Sequence, residues 1–198
     1  AFLEGKAAGP VTVVGWSLGG FLAAEFAGRH PARVGRLVLV GVRRRYPPAD
    51  VAAVRSALLR DPRACLSGFY AQCFFPSRMA EYRRFRAGLQ EEYLREMDRE
   101  ALLSGLDYLS RNAFPSSSLP PCPVRFVHGE KDAVAPAAEA RELARSIGNA
   151  SFHLLPGAPH AAFRTMPNRA PCHFSSIIEL GSRQRHVIDP PDYAASAW

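Results

Sequence analysis

The run Val11-Thr12-Val13-Val14-Gly15-Trp16-Ser17-Leu18-Gly19-Gly20 carries the local pattern that decides the fold. Its β-branched beginning reads as a buried parallel strand, because a strand covered on both faces needs no polar alternation. A small-residue helix is expected from about Phe21 to Arg29, with Ala23, Ala24 and Ala27 forming a thin face for close packing on a sheet. His30-Pro31 ends it. Between strand and helix stands Gly-x-Ser-x-Gly. At that spacing the serine occupies a sharp, strained strand-to-helix turn, and the flanking glycines let the two elements approach without clashing Cβ atoms. The helix N-terminus and the Leu18 N–H then face any negative charge that develops on a bound carbonyl.

Outward from this run, Val34 to Val42 reads as a second buried strand, Val124 to His128 is the third strand and Ser151 to Leu155 is the fourth, with His153 inside it and expected to be packed. Ala137 to Ile147 reads as a helix between the last two. Strands alternating with helices argue for an α/β protein with a parallel sheet. From Arg43 to about Asn112 strand signals vanish. Aromatic and leucine residues recur at helical spacing among many arginines and glutamates, punctuated by Pro47-Pro48, Asp61-Pro62 and Pro76. An insertion of three or four helices is expected there, followed by a Pro/Ser linker from Phe114 to Pro123.

Composition narrows the class. The 198 residues are 47% hydrophobic and 22% charged, enough for one domain with a sizeable core. No apolar run is long enough for a transmembrane helix. Ala1 to Pro10 lacks the pattern of a signal peptide, so a cytoplasmic setting is expected. Cys65, Cys73, Cys122 and Cys172 form no Cys-x-x-Cys pair and read as free thiols. The net charge of +7 is almost entirely arginine. No basic run alternates with stacking aromatics, so neither a nucleic-acid nor a membrane partner is expected. No metal or organic cofactor is implied.

A serine hydroxyl is a poor nucleophile near neutral pH. It needs a base within hydrogen-bond reach, and the base needs a partner that fixes its tautomer. Asp132, in His128-Gly129-Glu130-Lys131-Asp132 after the third strand, is the candidate acid, with Glu130 as a rival. His160, in Gly157-Ala158-Pro159-His160 after the fourth strand, is the candidate base; His30, His128, His153, His173 and His186 compete. Ser17, Asp132 and His160 follow one another in the order serine, acid, histidine.

Together VVGWSLGG, HGEKDAVAP and GAPHAAF resemble the α/β-hydrolase superfamily. Within it they resemble the carboxylesterases that demethylate pimeloyl-acyl-carrier-protein methyl ester in biotin synthesis. The resemblance runs from Val11 to Phe163 and includes His30-Pro31 and Gly105-Leu106-Asp107-Tyr108-Leu109. It implies hydrolysis of a small acyl ester, carried on acyl-carrier protein, through a Ser17–His160–Asp132 triad. Trp16 and Leu18 would flank the acyl site, with the Leu18 N–H as half of an oxyanion hole. Phe69, Tyr70, Ala71, Gln72 and Cys73 would line the acyl channel. Arg78, Arg83, Arg84 and Arg86 are candidates for recruiting the acidic carrier. The resemblance divides the chain into a partial α/β-hydrolase core at 1–42 and 115–163, a helical lid at 43–114 and a divergent tail at 164–198. Monomer is the default state. Other esterases, thioesterases and carbon–carbon hydrolases share these motifs, and a non-catalytic binding protein or an inactive fragment are the remaining alternatives. The family has several strands and a His-Gly-Trp type loop before the elbow, and only Ala1 to Trp16 precede Ser17 here. The chain is therefore expected to be the C-terminal part of the fold.

Overall fold

The computed structural model describes residues 9–162. Strand β1 (Val11–Trp16) leads through Ser17 into helix α1 (Leu18–Arg29), and a short 3-10 turn (Pro31–Arg33) leads into β2 (Val34–Val40). Five helices follow: α2 (Pro48–Arg60), α3 (Pro62–Phe74), α4 (Met79–Gly88), α5 (Gln90–Glu96) and α6 (Arg99–Arg111). The chain then returns through β3 (Val124–Gly129), α7 (Ala137–Arg145) and β4 (Ala150–Leu155).

The four strands are parallel and lie in the order β1-β2-β3-β4. Register brings Trp16 opposite Val40, Val40 opposite Val127, and Gly129 opposite Leu155. The loops that leave the carboxyl ends of the strands therefore gather at one end of the sheet, where open α/β folds place their ligands. Strand β2 lies between β1 and β3, and Leu37 to Val40 are buried on both faces. Strand β1 differs from the expectation of full burial, and β4 from the expectation that His153 is packed. Val14 of β1 is 43% exposed, and His153 of β4 faces solvent. Among the described residues each of these strands has only one strand neighbour.

Helix α1 packs on the sheet through Phe21, Ala23, Ala24 and Ala27, all buried. Phe21 meets Phe114 edge-on at 5.5 Å and joins Leu37, Leu39 and Phe126 in the main core. The glycines of the elbow make this contact possible. A Cβ on Gly15 would lie 2.4 Å from the Gly19 carbonyl oxygen and 2.7 Å from the Ala23 Cβ, and one on Gly20 would lie 2.2 Å from Val42 Cγ1.

The inserted segment has five helices rather than three or four. The run from Glu81 to Leu109 breaks after Gly88 and again at Asp98, whose side chain caps α6 by accepting from the Glu100 N–H at 2.9 Å. Asp61 caps α3 in the same way, with Pro62 at its first position. These helices enclose a second core built on Leu58, Leu66, Tyr70, Phe74, Phe85 and Leu94. Among the described residues no helix is long and apolar enough to cross a membrane.

Gly15→Ala should destabilise the fold by about 1–3 kcal/mol, the usual cost of forcing a methyl into a packed contact. Gly68→Ala, in α3 with nothing near the new methyl, should stabilise by about 0.5–1 kcal/mol. Urea denaturation of the two variants beside the parent checks the opposite signs.

Candidate active site

Ser17 stands at the elbow with φ 53° and ψ −124°, the one non-glycine residue with positive φ among those described. Its N–H donates to the Val40 carbonyl at 2.9 Å and its carbonyl accepts from the Gly20 N–H at 2.9 Å, so the strained turn is held from both sides. A serine at a helix N-cap ordinarily uses its hydroxyl to cap the first turn. Ser17 makes no such bond. Its Oγ lies instead 3.4 Å from the hydroxyl of Tyr46, which arrives on the loop after β2.

Asp132 is buried on the loop after β3, and four donors converge on its carboxylate. Oδ1 accepts from the N–H groups of Val134 at 2.9 Å and Ala135 at 2.8 Å. Oδ2 lies 2.8 Å from His160 Nδ1 and 3.2 Å from His128 Nε2. Burial by itself would raise the pKa of this carboxyl. The bonds from His128, His160 and the Ala135 N–H outweigh it and hold Asp132 well below the usual carboxylate range. The nearby Cys73 thiol moves the other way, pushed up to about 12 by burial and then by the Asp132 charge, so it stays a thiol.

His160 is fully buried. Its Nδ1 is anchored on Asp132, and its Nε2 makes no hydrogen bond among the described residues. Trp16 braces it: the indole Nε1 donates to the His160 carbonyl at 3.1 Å, and the two rings lie 5.1 Å apart. Gly41, at φ +57°, gives the imidazole its room. A Cβ there would stand 3.0 Å from His160 Nδ1 and 3.4 Å from Asp132 Oδ2. The backbone at Val40-Gly41 thus bonds Ser17 on one side and passes against His160 on the other.

The structure brings Asp132 and His160 into direct contact. It does not join Ser17 to His160 by a hydrogen bond; Tyr46 takes that place on Ser17 Oγ. Glu130, the rival acid, accepts from the Gly157 N–H at 2.8 Å and so shapes the turn that carries His160. Of the rival histidines, His30 caps the end of α1 against Phe26, and His153 is exposed on β4 rather than packed. His173 and His186 lie outside the described residues. In α3, Tyr70 and Cys73 are buried in the helical core and Phe69 packs at its margin. Ala71 is half-buried, and Gln72 reaches out to the Ala133 carbonyl at 3.4 Å. The Cys73 carbonyl accepts from the Ala161 N–H at 2.9 Å and so ties α3 to the residue after His160. A Cβ on Gly105 of α6 would touch the Leu18 side chain at 3.1 Å.

Tyr46, Gly41 and the bond from His128 to Asp132 are absent from the motif reading. His128 opens the HGEKD run and was visible only as a competing base. Tyr46 carries no local signal, since only the packing of its ring near Phe21 and Arg43 directs its hydroxyl to Ser17. Among the described residues no three His, Cys, Asp or Glu side chains form a metal-binding group.

A parallel sheet with helices packed against it, a strained serine at a strand–helix elbow, and an acid and a histidine on later post-strand loops define the α/β-hydrolase class of protein. The chain belongs to the alpha/beta hydrolase family, whose profile matches residues 1–170. It is 31% identical over 165 residues to the pimeloyl-[acyl-carrier protein] methyl ester esterase of Chromobacterium violaceum, covering 78% of this chain and 64% of that one. The 2-hydroxymuconate semialdehyde hydrolase of Pseudomonas putida is 32% identical over 156 residues, covering 75% of this chain and 55% of that one. In three dimensions the fold is shared with a bromoperoxidase of Bacillus anthracis, at a TM-score of 0.75 and 21% identity over 90% of this chain and 69% of the other. The chain thus spans about two thirds or less of the length of these relatives.

The direction of the Asp132 shift fixes a pH dependence. A carboxyl whose folded value is depressed contributes stability above its unfolded value, about 3.9, and loses that contribution as pH falls toward the folded value. The Tm gap between the parent and Asp132→Asn should therefore be widest above about pH 5 and should shrink progressively as the buffer is taken toward pH 2. Thermal melts across that range read it; a gap independent of pH would contradict the hydrogen-bonded carboxylate described above.

Proposed function

We propose that the chain carries the catalytic centre of a serine carboxylic ester hydrolase, with Ser17 as nucleophile, His160 as base and Asp132 as the group that orients it. The observation that carries this reading is the buried His160 imidazole, anchored at Nδ1 on an ionised carboxylate and left without a partner at Nε2, beside a serine whose hydroxyl is not used for capping. An imidazole held in this way accepts a proton at Nε2.

In the proposed reaction Ser17 Oγ attacks the ester carbonyl carbon while its proton passes to His160 Nε2. The carbonyl oxygen takes up negative charge against the Leu18 N–H at the start of α1. Collapse breaks the bond to the alcohol oxygen, which leaves with the proton from His160, and the acyl group stays on Ser17. Water then loses a proton to His160 as it attacks the acyl carbon, and release of the acid returns that proton to Ser17 Oγ. Asp132 stays ionised throughout and stabilises the imidazolium. For Ser17 Oγ to give its proton to His160, Tyr46 must act as the donor of their shared bond or release it, since a hydroxyl has one proton to give.

The proposed organisation has the hydrolase core in 1–42 and 115–163 and the helices of 43–114 as a lid. The support is that Trp16 and Ala161, which flank Ser17 and His160, pack into the core of those helices, and that Leu18 meets Gly105. The substrate follows from the similarity to the Chromobacterium esterase: a methyl ester of a dicarboxylic acyl chain on acyl-carrier protein. A carbon–carbon hydrolase is the second reading, favoured by the similarity to the Pseudomonas hydrolase; a panel containing both substrate types separates the two.

A fluorophosphonate probe should label the parent at Ser17 and leave Ser17→Ala unlabelled. Asp132→Asn should lower ester turnover on the order of 10⁴-fold by favouring the wrong imidazole tautomer, whereas Glu130→Gln should stay close to the parent. Equal losses at Asp132 and Glu130 would overturn the assignment of the acid.

Arg83, Arg84 and Arg86 are exposed on α4, while Arg78 pairs with Glu81 at 3.6 Å. If the exposed arginines recruit an acidic carrier, Arg83→Ala/Arg84→Ala/Arg86→Ala should lower kcat/KM for a carrier-bound ester, less so at high salt, and spare a small soluble ester. Equal effects on both substrates would reject recruitment.

A further inference from the structure

His128 is fully buried at the end of β3, and the steps proposed above make no use of it. Its Nε2 lies 2.7 Å from the Ala135 carbonyl oxygen and 3.2 Å from Asp132 Oδ2. Both neighbours are acceptors. A bare ring nitrogen between them would be repelled by each, so Nε2 carries a hydrogen and donates to both. The other nitrogen, Nδ1, has no hydrogen-bond partner among the described residues. In the neutral ring this is the Nε2–H tautomer. The ring of Phe152 stacks against it at 6.2 Å and 21°. A buried nitrogen without a partner costs stability, so a residue needed only to fill this space would serve better without it.

We infer that His128 is a positioning residue, which through its forked Nε2–H pins the oxygen of Asp132 that holds His160. The inference rests on the proposed roles of Asp132 and His160. The Asp132 carboxylate has one pair of donors on each oxygen: the Val134 and Ala135 N–H groups on Oδ1, and the two histidines on Oδ2. Removing His128 leaves Oδ2 with the single bond to His160, so more of the carboxylate charge falls on that bond. The groups that face Asp132 from other elements do not replace the lost donor. Tyr46 is engaged with Ser17, and Gly41 has no side chain. Cys73 of α3 is a thiol, a weak donor, and Arg43 is tied to Glu139 by two bonds. His128 thus moderates how strongly Asp132 pulls on His160 and keeps the carboxylate from turning away.

Two variants of the full chain separate positioning from packing. His128→Gln keeps an N–H where Nε2 stood, and His128→Phe fills the ring volume without one. With histidine labelled by nitrogen-15, NMR of the parent should show His128 as the Nε2–H tautomer. The His160 Nδ1 proton resonance should move downfield in His128→Phe and stay near the parent position in His128→Gln. Ester kcat/KM should fall roughly tenfold in His128→Phe, with the acid limb of its pH profile moved to higher pH, and stay within about threefold in His128→Gln. Packing alone would reverse the order, with Phe tolerated and Gln damaging, and that result overturns the inference. An Nδ1–H tautomer for His128 in the parent overturns it too, whether or not the Phe variant folds. The NMR readouts do not require turnover. If the proton resonance moves as expected while the parent hydrolyses no ester, the positioning role stands and the hydrolase reading falls.

Discussion

At the elbow, the backbones of β1 and α1 approach so closely that a single methyl on Gly15 would overlap the Gly19 carbonyl and the Ala23 side chain. This contact fixes where the chain turns, and the turn fixes Ser17. With the helix pressed onto the strand end, the residue between them is forced to positive φ, and its N–H reaches across to Val40 of the neighbouring strand. The same crossing points the first N–H groups of α1 toward the end of the sheet, where the later loops converge. Strain at one residue is tolerated because the packing of Phe21, Ala24 and Ala27 on the sheet over-determines the helix position.

The second organising centre is electrostatic. A carboxylate at the depth of Asp132 is unfavourable by itself, and the loop after β3 answers with two backbone N–H groups on one oxygen and two imidazoles on the other. The bonds to the charged form outweigh desolvation, so Asp132 remains ionised while Cys73 beside it remains protonated. One buried anion holds two imidazoles, and the far nitrogen of each has no partner among the described residues. That division of environment is what separates the roles of neighbouring titratable groups in a catalytic site. The helices between β2 and β3 contribute to this burial, since their core reaches Trp16 and Ala161 on either side of the site.

Much of this was legible along the chain because it depends on local pattern. The β-branched run, the Gly-x-Ser-x-Gly spacing and the alanine face of α1 are short-range features, and the strand–turn–helix they specify is the one observed. The inserted helices were legible as a group, but not their number. The caps at Asp61 and Asp98 act through single side chains, and only the cap at Asp61 was flanked by proline. Full burial of β1 and packing of His153 in β4 were expected and do not hold, because a hydrophobic run does not reveal whether both of its faces are covered. Val14 and His153 are exposed as a result.

The sequence by itself determined which residue types could do chemistry and placed each after a strand: Ser17 by its glycines, Asp132 and His160 by their position on loops. It left open which acid meets which histidine. Asp132 and His160 are 28 residues apart, and their contact exists because parallel pairing sets Gly129 opposite Leu155 and brings the two following loops together. Glu130, two residues from Asp132, is directed by the same register to the Gly157 N–H instead. The bond from His128 to Asp132, the hydroxyl of Tyr46 on Ser17 and the space that Gly41 leaves for the imidazole were likewise decided only in three dimensions. Hydrogen bonds between side chains act over about 3 Å, and no spacing along a chain specifies which distant groups a sheet will bring within that reach.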